Sequence, residues 1–152
     1  MRTHDDAMRE QTLALAQRYM TLLKDQRFDE WIELWAEDGI LEFPYAPEGR
    51  KPVYRGKAEI LSYMKNALGR IKIEGIESSR TFAMQDPEIS VAEVAIRGQA
   101  LKTGKPYNQK YVVFFETKNG KLAHYREYWN PLTTIDAYGG RDIWTNGFGS
   151  PA

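Results

Sequence analysis

The hydrophobic period of this chain changes at Gly69. Before Gly69, apolar residues recur every three or four positions, and after it they alternate with polar residues. The first spacing predicts amphipathic helices and the second predicts antiparallel strands. Helices followed by strands favour an α+β fold in which the helices pack on one face of a bent sheet. The length of 152 residues predicts one domain over residues 1–152, with its core at about 7–140.

Three helices are predicted before Gly69. Their ranges are about Ala7–Lys24, Phe28–Glu37 and Lys57–Leu68. The Asp38-Gly39 pair is a stop signal for the second helix, and a short strand over Ile40–Phe43 follows it. The third helix ends at Gly69, where the period changes.

Strands and tight turns are predicted for the second half of the chain. The alternating segments are Lys72–Ile76, Arg80–Met84, Ile89–Leu101, Tyr107–Lys118 and Lys121–Trp129. The dipeptides Thr103-Gly104 and Asn119-Gly120 are typical of hairpin turns. The Gly-rich residues from about Gly139 to Ala152 predict an irregular C-terminal tail.

The Asn119-Gly120 turn predicts a register for the last two strands. In a two-residue turn Lys118 faces Lys121, and stepping back pairs Phe114 with Tyr125 and Val112 with Glu127. The side chains expected to line the inside of the sheet are Val94, Ile96, Val112, Phe114, Tyr125 and Trp129. The opposite face is also aromatic and includes Tyr111, Phe115, His124, Arg126 and Tyr128. Two apolar faces on one sheet predict a homodimer formed through the outer one.

Glu127 is the candidate catalytic acid of the sequence. It shares one strand face with Tyr125 and Trp129, so its carboxyl is expected in an apolar wall. Desolvation raises the pKa of a carboxyl and makes it a candidate proton carrier near neutral pH. Arg126 points to the opposite face and is poorly placed to neutralise it. Two other interpretations stay open: this face is exposed to water, or Glu127 forms a structural ion pair.

Composition argues against several function classes. Lys+Arg and Asp+Glu both number 21, so the net charge gives no basis for binding nucleic acid or an anionic membrane. No apolar run approaches the length of a transmembrane helix, and the first residues lack a signal-peptide pattern, which predicts a cytoplasmic protein. The chain has no cysteine, and His4 and His124 lie far apart, so neither a metal site nor a cofactor is expected.

Three motifs follow one another in the first half of the chain. They are Trp35-Ala36-Glu37-Asp38-Gly39, Leu41-Glu42-Phe43-Pro44-Tyr45-Ala46-Pro47 and Tyr54-Arg55-Gly56-Lys57-Ala58-Glu59-Ile60. Together with the Asn-Gly hairpin, they resemble the nuclear transport factor 2-like superfamily, and more narrowly its SnoaL-like, ketosteroid isomerase-like branch, which contains polyketide cyclases. The resemblance implies a cone-shaped α+β barrel, in which a strongly bent antiparallel sheet wraps around the three N-terminal helices and leaves an apolar cavity.

The site residues of this superfamily are matched only in part. Ketosteroid isomerases carry a Tyr on the first helix that polarises the substrate oxygen, and Tyr19 stands at a similar position. Their general base is an Asp before the Pro of the first strand, where this chain has Phe43. Their second oxyanion acid corresponds to Val112. Steroid isomerisation by that mechanism is therefore not expected.

The C-terminal motif resembles a second group in the superfamily. Arg126-Glu127-Tyr128-Trp129-Asn130-Pro131 is similar to a segment of the phenazine-biosynthesis A/B proteins, whose Glu works as an acid. Those proteins also use a His after the third helix, and residues 73–79 contain none. The resemblance therefore extends to the acid and not to its partner.

Two function classes follow from these observations. The first is a cofactor-free cyclase, isomerase or dehydratase acting on a small hydrophobic oxygenated molecule, with Glu127 moving a proton and Tyr19 binding the carbonyl or enolate oxygen. The second is a non-catalytic domain in which Glu127 orients a bound ligand. A second polar group beside Glu127 would favour the enzyme, and an Arg that neutralises Glu127 would favour the binder. The side chains expected to contact the ligand are Trp35, Phe43, Tyr45, Met64, Val112, Phe114, Tyr125 and Trp129.

Overall fold

The computed structural model describes residues 1–140, which form four helices and six strands. The helices are α1 (His4–Lys24), α2 (Phe28–Ile32), α3 (Lys57–Leu68) and α4 (Pro131–Ala137). The strands are β1 (Trp35–Glu42), β2 (Val53–Arg55), β3 (Ile71–Ala83), β4 (Ile89–Ala100), β5 (Lys110–Lys118) and β6 (Lys121–Trp129). None of the helices within residues 1–140 is long and apolar enough to cross a membrane.

The six strands form one sheet in the order β2-β1-β6-β5-β4-β3. All neighbours are antiparallel except β1 and β6, which run parallel. Helix α1 packs against β3, β4 and β5, while α3 packs against β1 and β2. The predicted α+β architecture, with N-terminal helices held against a curved sheet, is confirmed. The predicted irregular tail lies mostly at residues 141–152, outside the described residues.

An aromatic cluster lies where α1 crosses the sheet. The Tyr19 ring stacks on Tyr125 at a centroid distance of 4.8 Å and meets Phe115 edge-on at 5.2 Å. Trp31 and Trp35 extend the cluster at 5.7 Å from each other, and both are fully buried. Such pairs contribute about 0.5–1.5 kcal/mol each beyond the burial of apolar area. The cluster therefore fixes α1 against β5 and β6.

The turn between β5 and β6 has the predicted register at its tip. Asn119 and Gly120 both have positive φ, as a type I′ turn requires, and Lys118 faces Lys121. Two residues further on, Ala123 of β6 is left without a partner, because Thr117 pairs with Leu122 while Glu116 pairs with His124. A single bulged residue shifts every later pair by one.

The predicted inner face of β5 is therefore wrong. Val113 faces Glu127 and Phe115 faces Tyr125, so Val112 and Phe114 point to the outside of the sheet. Val112 is 38% exposed. The residues expected on the outer face, Tyr111 and Phe115, point inward instead.

Helix α2 is shorter than predicted, because β1 begins at Trp35 rather than at Ile40. The pair Asp38-Gly39 lies inside β1, at an irregularity in its pairing with β6. Gly39 has a packing role there. A Cβ added at Gly39 would lie 2.7 Å from Cε3 of Trp35, which is closer than side chains approach. The glycine that predicted a helix stop thus makes room for the buried indole.

Two further elements differ from the sequence prediction. Strand β3 is continuous over Ile71–Ala83 instead of two strands, since two bulges interrupt its alternation without ending it. Helix α4 was not predicted. Its start nevertheless carries a known signal, because the Asn130 side chain accepts a hydrogen bond from the amide of Leu132 and Pro131 occupies the first turn.

The Gln109 side chain connects α4 to the sheet through hydrogen bonds. Its side chain is 1% exposed and forms four hydrogen bonds. The amide nitrogen donates to the carbonyl of Asn130 and to the hydroxyl of Thr134, and the oxygen accepts from the amides of Lys110 and Asn130. All donors and acceptors of this buried amide are thus satisfied within the fold.

Gln109→Ala should lower the free energy of unfolding by about 1–3 kcal/mol, because it removes the hydrogen bonds of a buried amide that joins α4 to the sheet. Urea denaturation measures this change. The control is Gln99→Ala, whose amide bonds the carbonyl of Gly104 at an exposed turn and should cost less than about 0.5 kcal/mol. Equal losses in the two variants would contradict the role given to Gln109.

Candidate active site

A cavity of about 160 Å³ lies between α1, α3, α4 and the inner face of the sheet. Its wall is mainly aromatic and aliphatic. The lining residues are Tyr19, Met20, Leu23, Lys24, Phe43, Arg50, Tyr63, Met64, Ala67, Leu68, Ile71, Ile73, Ile76, Val94, Ile96, Tyr107, Tyr111, Val113, Phe115, Tyr125, Glu127, Trp129, Thr134 and Tyr138. Glu127 is the single carboxylate among them.

The carboxyl of Glu127 is held by one hydrogen bond. The hydroxyl of Tyr125, two residues earlier on the same face of β6, donates to Oε2 of Glu127 at 2.5 Å. Within residues 1–140, the structure gives Oε1 no protein donor and the carboxyl no cation at ion-pair distance. Arg126 instead pairs with Glu116 on the outer face. The ion-pair interpretation of Glu127 is thus not supported by the contacts of the described chain.

Burial controls the ionisation of Glu127. Desolvation raises the pKa of its carboxyl from 4.5 to about 7, and the hydrogen bond from Tyr125 limits the rise. The residue is half-buried and lines the cavity. At neutral pH both protonation states are populated, which suits a group that accepts and returns protons.

Five tyrosines lie close enough to Glu127 for an ionised carboxylate to raise their pKa values. They are Tyr19, Tyr63, Tyr107, Tyr111 and Tyr125. Desolvation is the larger cause of the upward pKa shift in each of them. These hydroxyls therefore stay neutral at physiological pH and can act as hydrogen-bond donors.

The Tyr19 side chain forms part of the cavity wall, but its hydroxyl is buried. Its side chain is 1% exposed, and its hydroxyl is fully buried without a well-formed hydrogen bond inside the described chain. The hydroxyl is still near Tyr125 and Trp31, since both affect its pKa. Tyr19 lies near Glu127, as predicted, but the ring that it contacts directly is that of Tyr125.

The predicted ligand contacts fall into two groups. Phe43, Met64, Tyr125 and Trp129 line the cavity, as do Val94 and Ile96. The other four do not. Trp35 is buried in the aromatic cluster, Tyr45 is 57% exposed beside Tyr128, and the bulge at Ala123 turns Val112 and Phe114 outward.

Sequence reasoning missed Tyr63, Tyr107 and Tyr111. Tyr63 continues the spacing of Ile60, Met64 and Ala67 on α3, so the helical period alone could have identified it. The alternating pattern predicts Tyr111 on the outer face, because the bulge leaves no clear signal in the sequence. Within residues 1–140, no group of three or more His, Asp or Glu side chains is arranged to hold a metal ion.

Comparison with known proteins identifies the family. The family model described as "SnoaL-like domain" matches residues 16–125. The chain belongs to the SnoaL-like domain family. The uncharacterised protein YesE of Bacillus subtilis is 35% identical over 128 residues, covering 84% of this chain and 87% of YesE. An uncharacterised PhzA/B-like protein of Pseudomonas aeruginosa is 30% identical over 121 residues, covering 80% of this chain and 85% of the relative.

Crystal structures of SnoaL-like and related proteins share the fold. One from Bacillus subtilis, named provisionally as an isomerase, has a TM-score of 0.82 at 34% identity and covers 87% of this chain and 95% of its own. More distant structures carry provisional names as polyketide cyclases or a ketosteroid isomerase, and one is an epoxide hydrolase from M. tuberculosis. These structures therefore share the fold of this chain.

Tyr125→Phe should raise the pKa of Glu127 above its value of about 7, because it removes a donor to the carboxylate while burial remains. Titration of the carboxyl ¹³C resonance of Glu127 in labelled protein measures the shift. The matched control is Tyr111→Phe, which removes a hydroxyl that contacts Tyr107 at 3.4 Å instead of Glu127. A rise of the same size in both variants would contradict a specific role for the Tyr125 hydroxyl.

Proposed function

We propose that this SnoaL-like protein is a cofactor-free enzyme of isomerase, cyclase or dehydratase type, in which Glu127 carries a proton to or from a small hydrophobic carbonyl compound. The observation that carries the proposal is the environment of the Glu127 carboxyl. It lines an apolar cavity, accepts one hydrogen bond from Tyr125, and has a pKa raised to about 7.

The free oxygen of Glu127 supports a catalytic role over a purely orienting one. Because Tyr125 occupies Oε2, Oε1 is the oxygen available to a ligand in the cavity. In the proposed step, Oε1 of the carboxylate takes a proton from the carbon next to the carbonyl, and the C–H electron pair forms an enolate whose charge lies on oxygen. The resulting carboxylic acid then returns the proton to carbon. Neutral tyrosine hydroxyls around Glu127 would stabilise the enolate oxygen.

The cavity size favours a ligand with one buried ring. Its volume of about 160 Å³ is close to that of an engineered apolar cavity of about 150 Å³ that binds benzene. Aromatic walls such as Phe115 and Trp129 suit a flat or cyclic molecule. We therefore propose a monocyclic ketone or enone as the substrate class.

Exchange of the α-protons of cyclohexanone and 2-cyclohexenone in D₂O tests this function. The parent should accelerate exchange, and Glu127→Gln should reduce the acceleration by at least about 100-fold, since general base catalysis supplies about 10²–10⁴. Because the base is the ionised form, the rate should rise with pH and level off above about 7. NMR measures the loss of the proton signal.

Glu93→Gln is the control, because Glu93 is an exposed carboxylate on β4, and it should exchange like the parent. Equal exchange by the parent and Glu127→Gln would remove Glu127 from the mechanism. Saturable binding of the ketones without any acceleration would support the binding-domain alternative.

Glu127→Gln should also change the dependence of stability on pH. The carboxyl has a pKa of about 7 in the folded protein against 4.5 for an ordinary glutamate, so folding favours the protonated form. The parent should therefore lose roughly 3 kcal/mol of stability as pH rises from 4.5 to about 7. The Gln variant lacks this loss and should be the more stable protein above pH 7. Urea denaturation at pH 4.5 and 8 measures it, and parallel curves for the two proteins would contradict the raised pKa.

We further propose that the protein forms a homodimer through the outer face of β5 and β6. Val112 is exposed there, and Phe114, Tyr128 and Tyr45 form a row of ring contacts at 5.1–6.0 Å. An apolar aromatic patch of this kind is typical of interaction surfaces. The cytoplasmic location also stays a prediction.

The double substitution Val112→Glu and Phe114→Glu should convert the dimer to a monomer, because it places like charges at the centre of a two-fold interface. Light scattering at micromolar concentration measures the mass. Leu132→Glu is the control, since Leu132 is 67% exposed on α4 and away from this face. A monomeric parent would overturn the proposed interface.

A further inference from the structure

We infer that the Tyr63 hydroxyl is the hydrogen-bond donor for the substrate oxygen in this cavity. The inference rests on the proposed function, and it assigns to α3 the role that resemblance to ketosteroid isomerases implies for Tyr19 on α1. Tyr19 and Tyr63 both lie near Glu127, and they differ in whether the hydroxyl is accessible.

The Tyr63 ring is held firmly at the cavity wall. It packs against Phe43 at a centroid distance of 5.2 Å and against Tyr54 at 4.3 Å. Both contacts are made by its ring, and the residue lines the cavity. A donor that is fixed before the ligand arrives stabilises developing charge at little cost in reorganisation.

The hydroxyl of Tyr63 has unused hydrogen-bonding capacity. Within residues 1–140 it forms no hydrogen bond, and it retains accessible surface, unlike the buried hydroxyl of Tyr19. The hydroxyls of Tyr107 and Tyr111 contact each other, and that of Tyr125 donates to Glu127. Of the five tyrosines near Glu127, Tyr63 is therefore the one whose hydroxyl is accessible and forms no hydrogen bond within residues 1–140.

Tyr63 and Glu127 line the same cavity from two different elements. Tyr63 lies on α3 and Glu127 on β6. They are near enough for an ionised Glu127 to raise the pKa of Tyr63, second only to the effect of burial. A neutral Tyr63 donates its hydrogen bond without giving up its proton, while the transferred proton stays with Glu127 and the substrate carbon.

Binding of 3,4-dinitrophenol at about pH 6 tests the inference. This probe has one ring and is ionised at that pH, so its oxygen imitates the enolate, while Glu127 is mostly protonated and does not repel it. Tyr63→Phe should weaken binding by about 10- to 100-fold, as expected for loss of a hydrogen bond to a charged oxygen. Isothermal titration calorimetry measures the affinity. Tyr19→Phe is the matched control and should change it less than about threefold, because the Tyr19 hydroxyl is buried.

A series of substituted phenols gives a second readout that a structural defect would not imitate. Affinity should increase with the negative charge on the phenol oxygen in the parent, and this dependence should flatten in Tyr63→Phe alone. Equal losses in the two Phe variants, an unchanged Tyr63→Phe, or a parent that binds no phenolate would each overturn the inference. Glu127→Gln should keep phenolate binding, so failure of the proton-transfer step is distinguished from failure of the oxygen site.

Discussion

The unpaired residue Ala123 determines which side chains share the cavity. Beyond it, the pairing of β5 with β6 moves by one residue, and this sets Val113 opposite Glu127 and Phe115 opposite Tyr125. Without that bulge the exposed Val112 would lie opposite the acid, and the Phe115 ring would leave the aromatic cluster around Tyr19. One extra residue in a strand therefore controls both the wall of the site and the composition of the outer face.

The ionisation of Glu127 reflects two opposing effects of that wall. Apolar neighbours disfavour the carboxylate, whereas the Tyr125 hydroxyl stabilises it. Tyr125 can supply this bond because Tyr19 and Phe115 hold its ring from two sides. The buried Tyr19 thus contributes to the site through packing against Tyr125. The Tyr19 hydroxyl is buried. The direct ligand contact that the resemblance to ketosteroid isomerases implies for Tyr19 therefore does not follow from its position in this structure.

Much of the fold could be predicted from the sequence because it depends on local patterns. The range of α3, the range of β6 and the Lys118–Lys121 turn agree with the structure. The errors arise where a long-range contact overrides the local signal. Gly39 makes room for the Trp35 ring instead of ending a helix, and the Ala123 bulge has no marker in a run of alternating residues. The sequence predicts Glu127 as a candidate because its aromatic neighbours lie on its own strand, while Tyr63 requires knowing that α3 and β6 line the same cavity.

The helices and the sheet contribute different parts of the proposed chemistry. Strand β6 holds Glu127 and its hydrogen-bond donor Tyr125 two residues apart, so both side chains lie on the same face of the sheet. Helix α3 brings Tyr63 from another direction, and Phe43 and Tyr54 fix that ring. Helix α4 is held by hydrogen bonds from Gln109, and its residue Thr134 lines the cavity. Because the proposed proton carrier and the proposed oxygen donor belong to separate elements, we expect a substitution on α3 to change ligand choice while the geometry of Glu127 on β6 is preserved.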